Sequence, residues 1–352
     1  MKIRKHITNL FTGILASVIV LSCNIPDDNI NVIHFVPGEV KNPVTITQVI
    51  IKDPNLSIFE KLMRRIENSS NSASGKILSQ LNLPGNTTVF APTDTAFDAF
   101  MQANGITNID NLPLATIQSI VYNHLISGKI LAADFTTGFV SSQATRVSGS
   151  NTVNLSMYIN TTDGVVLNGN SKVITPNVEL ENGVIHYVDK VVDLPTIDKL
   201  LSFDSNFSTL RTAITYSDSQ SASPVIFDAI NNTNTSVTLF APTNTAFSNV
   251  LTELSKASLQ DLTPTQVGNI LKIHTISTAT TTAAISSSLF VSRTNTKLQT
   301  LLTGTVGQIN FNGTAKTIKD PRARTANITV KDLQAINGVI HSVDKVILPT
   351  TL

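Results

Sequence analysis

The feature that most constrains this 352-residue chain is a duplication. "TVFAPTDTAF" runs from Thr88 to Phe97 and returns, 150 positions later, as "TLFAPTNTAF" from Thr238 to Phe247. A second block, "NGVIHYVDKVV" from Asn182 to Val192, recurs as "NGVIHSVDKVI" from Asn337 to Ile347 with nine of eleven letters unchanged. Solenoid units repeat every 20 to 50 residues or so, far below this spacing, so each copy is a domain in its own right. The blocks place a first domain at residues 43–195 and a second at 196–352. Between them "VVDLPT", Val191 to Thr196, leaves a very short linker that Pro195 stiffens.

Both copies follow one order: an amphipathic helix, the "FAPT" block, a second helix bearing a histidine, a stretch rich in Thr, Val and Asn, and the closing "NGVIH" strand. The middle stretch reads as short strands and turns. Segregated helices and strands predict an α+β domain and argue against a parallel α/β sheet.

The repeated letters have structural uses. Thr88, Val89 and Phe90 suit a buried strand, and Pro92 ends it because it lacks an amide donor and biases Ala91 toward extended backbone. Thr93 is then placed to cap a helix whose apolar face is Phe97, Phe100 and Met101, with Pro92 and Phe97 at the two positions of a hydrophobic staple. Thr243, Pro242 and Phe247 keep these roles, while Asp94 becomes Asn244 and loses a helix-dipole interaction of about 0.3–1 kcal/mol. "Asp94-Thr95-Ala96" also resembles a bacterial O-glycosylation site, but the helix start accounts for it first.

In the second helix Ile117, Ile120, Val121, His124 and Leu125 fall on one stripe, and Val267, Ile270, Leu271 and His274 repeat it. A histidine on such a stripe is expected in the core, hydrogen-bonded at both ring nitrogens. Along the closing strand, alternation sends Val184, His186 and Val188 to one face and Ile185 and Tyr187 to the other, with Asn182-Gly183 and Asn337-Gly338 as tight turns before it. His186 and His341 are therefore expected inside as well.

"TVFAPTDTAF", the "YNH" of Tyr122 to His124 and "NGVIHYVDKVVDLP", in that order, resemble the three signature blocks of the fasciclin domain. The second copy matches too, although "KIH" at Lys272 to His274 lacks the tyrosine. The resemblance covers almost all of the chain after its N-terminal segment. It implies two compact α+β modules, each a wedge of strands packed with helices, in a surface-anchored protein associated with adhesion. It also implies an interaction role for Tyr122 and His124, by analogy with animal members.

The N-terminus carries an address. Lys2, Arg4 and Lys5 precede a largely apolar run from Leu10 to Leu21 and then Ser22-Cys23. This predicts an export signal over residues 1–22, with a run well short of the roughly 20 residues a membrane span requires. A small residue before a cysteine at the end of such a run resembles the lipobox of bacterial lipoproteins, which implies lipidation of Cys23. More than one acyl chain gives stable anchoring where one alone is marginal. Residues 23–42 form a linker in which Asp27 and Asp28 resemble the acidic signal for the outer face of the outer membrane in Bacteroidetes-type bacteria, and read equally as solvated acids. Orientation toward the periplasm stays open. Cys23 is the sole cysteine, so the domains fold without intramolecular disulfides.

Loss of residues 1–22 removes three cations and no anions, taking the formal charge from +1 to −2, and without a basic patch nucleic acid is a poor partner. Three functions compete. A lipid-anchored interaction or adhesion protein, meeting a surface protein or glycan, needs no catalytic residue, cofactor or metal. A glycan-binding accessory of an outer-membrane nutrient-uptake system needs exposed rings, yet there is no Trp and there are only four Tyr. Tyr122, Tyr187 and Tyr216 lie in predicted elements, leaving Tyr158 as the ring expected at the surface. A hydrolase needs a nucleophile, base and orienting acid, and no motif supplies them. Asp189 and Asp344 stand three residues after their histidines, on the opposite face of the strand.

Overall fold

The computed structural model describes residues 44–69, 76–148, 151–219, 225–277 and 295–352. Cys23, Asp27 and Asp28, with the expected signal and linker, lie outside the described residues.

The first domain begins with helices α1 (Ile46–Lys52), α2 (Ser57–Ser69) and α3 (Ile77–Gln80), then β1 (Thr87–Pro92), α4 (Asp94–Ala103), α5 (Leu114–Asn123) and β2 (Leu125–Ser127). It closes with β3 (Gly138–Ser148), β4 (Asn151–Asn160), β5 (Val166–Leu167), β6 (Ser171–Leu180) and β7 (Gly183–Val188). The second repeats the plan: α6 (Ile197–Phe203), α7 (Ser208–Asp218), α8 (Val225–Asn231), β8 (Val237–Pro242), α9 (Asn244–Glu253), α10 (Pro264–Ile273) and β9 (Thr275–Ser277) come first. Then follow β10 (Thr296–Gln299), β11 (Gln308–Asn312), β12 (Thr317–Lys319), β13 (Thr325–Ala335) and β14 (Gly338–Val343). Each domain is α+β, as expected, with one seven-stranded sheet in the orders β2-β1-β7-β6-β5-β4-β3 and β9-β8-β14-β13-β12-β11-β10. The middle of the first domain departs from the expected short strands, since β3, β4 and β6 run 11, 10 and 10 residues. After Gly138 neither β3 nor β4 contains a Gly or Pro to interrupt it, and Pro176 is accommodated at an irregularity of β6.

The two repeated blocks are neighbours in space. β1 and β7 pair in parallel, Thr88 with Val184, Phe90 with His186 and Pro92 with Val188, and β8 and β14 do the same. Gly183 and Gly338 permit this approach, because a Cβ at either would lie 2.0 Å from a carbonyl oxygen of the adjoining strand, that of Thr87 or Val237. Asn182 does more than turn the chain: buried, its Oδ1 accepts from the Ile46 amide at 3.0 Å while its Nδ2 donates to the Leu81 and Leu83 carbonyls. Asn337 ties Ile197 and Ile230 in the same way.

The strand-to-helix corner forms as the letters require. The hydroxyls of Thr93 and Thr243 each accept from the third amide of the following helix at 3.2 Å. Asp94 has a further role, its carboxylate accepting from the Ile58 amide at 2.9 Å and the Ser57 hydroxyl at 2.6 Å, which fastens α4 to the first turn of α2. Asn244 keeps that tie by accepting from the Thr209 amide at 2.9 Å. The exchange of Asp for Asn therefore gives up the dipole interaction and preserves a long-range bond.

Alternation along β7 divides the core. Ile185 and Tyr187 join the helix-side cluster with Phe59, Phe97, Ile117 and Val121, whereas Val188 joins Phe90, Met157 and Leu167 on the other face. At roughly 25 cal/mol per Å² of apolar area, such clusters supply the main drive for folding without disulfides.

The domains pack together within one unit, residues 43–352. The linker is built into both: Val191, Val192 and Pro195 are buried, and the Pro195 carbonyl accepts from the Ile336 amide at 3.0 Å. Across the junction Ser156 accepts from the Gln334 amide at 2.9 Å, and Arg146 Nη2 donates to Gln334 Oε1 at 2.9 Å. Tyr158 does not stand at the surface. It is buried, edge-on to Phe139 at 4.9 Å between centroids and stacked 6.3 Å from Phe203 of the second domain. Alternation along β4 does turn this ring away from its own core, but another domain covers it.

Candidate functional site

The residues singled out for interaction are Tyr122 and His124, at the end of α5. The helix starts after Pro113, buries Ile117, Ile120 and Val121, and stops at Asn123, so that His124 forms its C-cap. His124 is fully buried against Phe59, with ring centroids 5.9 Å apart. Its Nδ1 lies 2.8 Å from the Ile120 carbonyl and its Nε2 accepts from the Val192 amide at 2.9 Å. A carbonyl can only accept and an amide only donate, so the ring is neutral with its proton on Nδ1. Its own main-chain carbonyl accepts from the Phe90 amide at 2.9 Å. One residue thus joins α5, β1 and the segment after β7.

His274 repeats each contact: Ile270 at 2.7 Å, the Ile347 amide at 2.9 Å and the Phe240 amide at 2.9 Å. Burial pushes both imidazoles from 6.5 down to about 4, against the opposing pull of their carbonyl bonds. Neighbouring ties differ between copies. In the first, Asn123 and Asn168 donate to the Asp193 carbonyl, whereas in the second Arg324 donates to the Val346 carbonyl and Asp320 accepts from the Leu348 amide.

His186 and His341 are also fully buried. His186 Nδ1 accepts from the Asn177 amide at 3.1 Å, its Nε2–H donates to the Ile130 carbonyl at 2.9 Å, and it stacks on Phe90 at 5.6 Å. Burial lowers its basicity too. His341 Nδ1 accepts from the Asp332 amide at 3.1 Å. Both donors sit at irregularities of β6 and β13 with left-handed backbone, φ 61° at Asn177 and 64° at Asp332, a conformation that Asn and Asp tolerate. Those bulges, which aim an amide at each histidine, leave no mark in the hydrophobic pattern.

The histidines do not converge. His124 belongs to the helix-side core with Phe59, and His186 to the other face with Phe90 and Phe135. Asp189 accepts from the Lys172 amide at 2.7 Å and Asp344 from the Asn327 amide at 2.7 Å. Among the described residues no group of three His, Cys, Asp or Glu is placed to hold a metal ion, and no helix is long and apolar enough to cross a membrane. Tyr122 is half-buried on the helix-side core, its phenol raised by burial and by the charge of Glu67. The structure therefore does not present Tyr122 and His124 as one surface motif. Only the tyrosine reaches solvent.

Two domains with the same parallel pair and the same histidine latch identify a shared template, and a model of the fasciclin domain matches residues 55–195 and 205–349. The chain belongs to the fasciclin domain family. It is 25% identical over 276 residues to the transforming growth factor-beta-induced protein ig-h3 of Sus scrofa, covering 78% of this chain and 36% of that protein. It is 25% identical over 285 residues to periostin of Homo sapiens, covering 79% and 30%. Most of each animal protein thus has no counterpart here. An uncharacterized protein of Synechocystis sp. is 34% identical over 119 residues, which is 34% of this chain and 81% of that one. Among solved structures, a FAS1 domain pair from the insect cell adhesion molecule Fasciclin I aligns with 85% of this chain and 97% of its own, at 17% identity and a TM-score of 0.47. Fasciclin domains are associated with cell adhesion and extracellular interaction, and no catalytic family is indicated.

Proposed function

We propose that this protein is a membrane-anchored cell-surface interaction or adhesion lipoprotein without catalytic activity, tethered through acylated Cys23. The observation that carries the reading is the burial of all four repeated histidines, His124, His186, His274 and His341, in domains of an adhesion-associated family. The side chains best suited to acid–base chemistry or metal ligation are used to hold each domain together, so recognition falls to the outer surfaces, where Tyr122 is one contributor. The glycan-uptake reading loses its best support, since the ring it needed at the surface, Tyr158, lies at the domain junction.

Protease treatment of intact cells tests the placement. The proposal expects both domains to be digested without permeabilisation, and full protection would contradict surface exposure. Cys23→Ala should release the protein from the membrane fraction, whereas unchanged retention would refute the anchor. Saturable binding of the soluble fragment from Asn24 onward to a glycan array would favour the uptake reading instead.

A further inference from the structure

The two domains differ at one position of their closing strands, and the difference lies beside the junction. In the first, Tyr187 packs on the helix-side core and donates its hydroxyl to Asp53, the residue that ends α1. The aligned position in the second is Ser342, buried, with its hydroxyl bonded to Thr329 at 3.3 Å. The residue that ends α6 is Asp204. The second domain therefore has the acid and lacks the ring.

A ring arrives from outside. Phe139, on β3 of the first domain, packs against the helix-side core of the second. Tyr158, its cross-strand partner, reaches Phe203 beside Asp204, and its phenol is raised by burial and then by the Asp204 charge, as that of Tyr187 is raised by burial and then by Asp53. The polar bonds of the junction go to Gln334 on β13, the strand next to the one carrying Ser342. Gly169, at φ +72°, fits the turn against Phe203, whose ring would stand 2.9 Å from a Cβ there. Among the described residues the second domain shows no comparable hairpin, β10 and β11 running four and five residues where β3 and β4 run 11 and 10.

We infer that the second domain is completed by the first: Phe139 and Tyr158 supply across the junction the aromatic packing that Tyr187 supplies within the first domain. The surface over α6, β13 and β14 is thus a socket for an aromatic hairpin, and its occupant is the β3–β4 hairpin of the same chain. The pair then presents a partner with one fixed composite surface.

Hydrogen exchange on the full chain tests this. In Phe139→Ala and Tyr158→Ala, amides of α6, β13 and β14 should exchange at least about tenfold faster, while those of α2, α5 and β1 stay within about twofold. Loss of protection confined to β3 and β4 would overturn the inference. If Phe139→Ala does not accumulate as folded protein, Phe139→Leu gives the same comparison. A rescue supplies the second arm: Ser342→Tyr added to Phe139→Ala should restore protection in α6 and β13, because a tyrosine then has both the room and the acid. No restoration, or purely additive damage, would count against the inference.

Discussion

His124 and His274 have the same three partners in two domains whose surroundings otherwise differ, and that repetition makes them measurable. Each is neutral in the native state and takes up a proton near 6.5 once unfolded, so the unfolded chain binds more protons between pH 6.5 and about 4. Their stabilisation is complete above 6.5 and is lost as pH falls through that window, by about 1.4 kcal/mol per pH unit for each histidine. Urea denaturation at pH 7 and pH 5 should show the fall, and His124→Gln should flatten the slope of the first domain while lowering its stability. Gly183→Ala and Gly338→Ala should each cost more than about 3 kcal/mol, since a methyl group there meets a strand carbonyl at 2.0 Å. Loss of soluble protein, or a much lower denaturation midpoint, is the expected result. The burial of the histidines was legible in the sequence, through the stripe from Ile117 to His124. Ile120, on the same stripe, supplies one partner locally, but the amide donors were not legible, because Val192 and Asn177 come from other segments that no local period connects to the ring.

Among elements, the corner between β1 and α4 shows where local reading stops. The Thr93 cap follows from the letters, and Thr93→Ala should cost about 1 kcal/mol. Asp94 sits in the same first helical turn, but its carboxylate fastens α2. Asp94→Asn should therefore be nearly neutral, as Asn244 shows a carboxamide serving the purpose, whereas Asp94→Ala should cost about 1–2 kcal/mol by leaving the Ile58 amide unpaired. Thermal melts of the two variants side by side would distinguish this tie from a helix-dipole effect, in which both substitutions lose the charge and should cost alike. The parallel pairing of β1 with β7 was equally invisible, since strands of one domain pair across some 90 intervening residues by shape, and only the carbonyl contact at Gly183 reveals how close they come.

For the whole molecule, duplication and the α+β class were readable because two blocks occur twice in one order. The junction was not, because Tyr158 reads as a surface ring until a second domain is laid against it. A linker whose residues pair with both domains leaves little slack. Insertion of a Gly-Ser segment between Pro195 and Thr196 should therefore loosen the pair and destabilise the second domain more than the first, as small-angle scattering and domain-resolved hydrogen exchange would show. The central claim is that the letters written twice serve shape, leaving recognition to the surface. Nitrogen NMR of the histidine rings tests it most directly. His124 and His274 should remain neutral with the proton on Nδ1 until the pH nears about 4. His186 should carry its ring proton on Nε2 at neutral pH. Titration of His124 or His274 near 6.5, or ring shifts on adding a divalent metal, would contradict it.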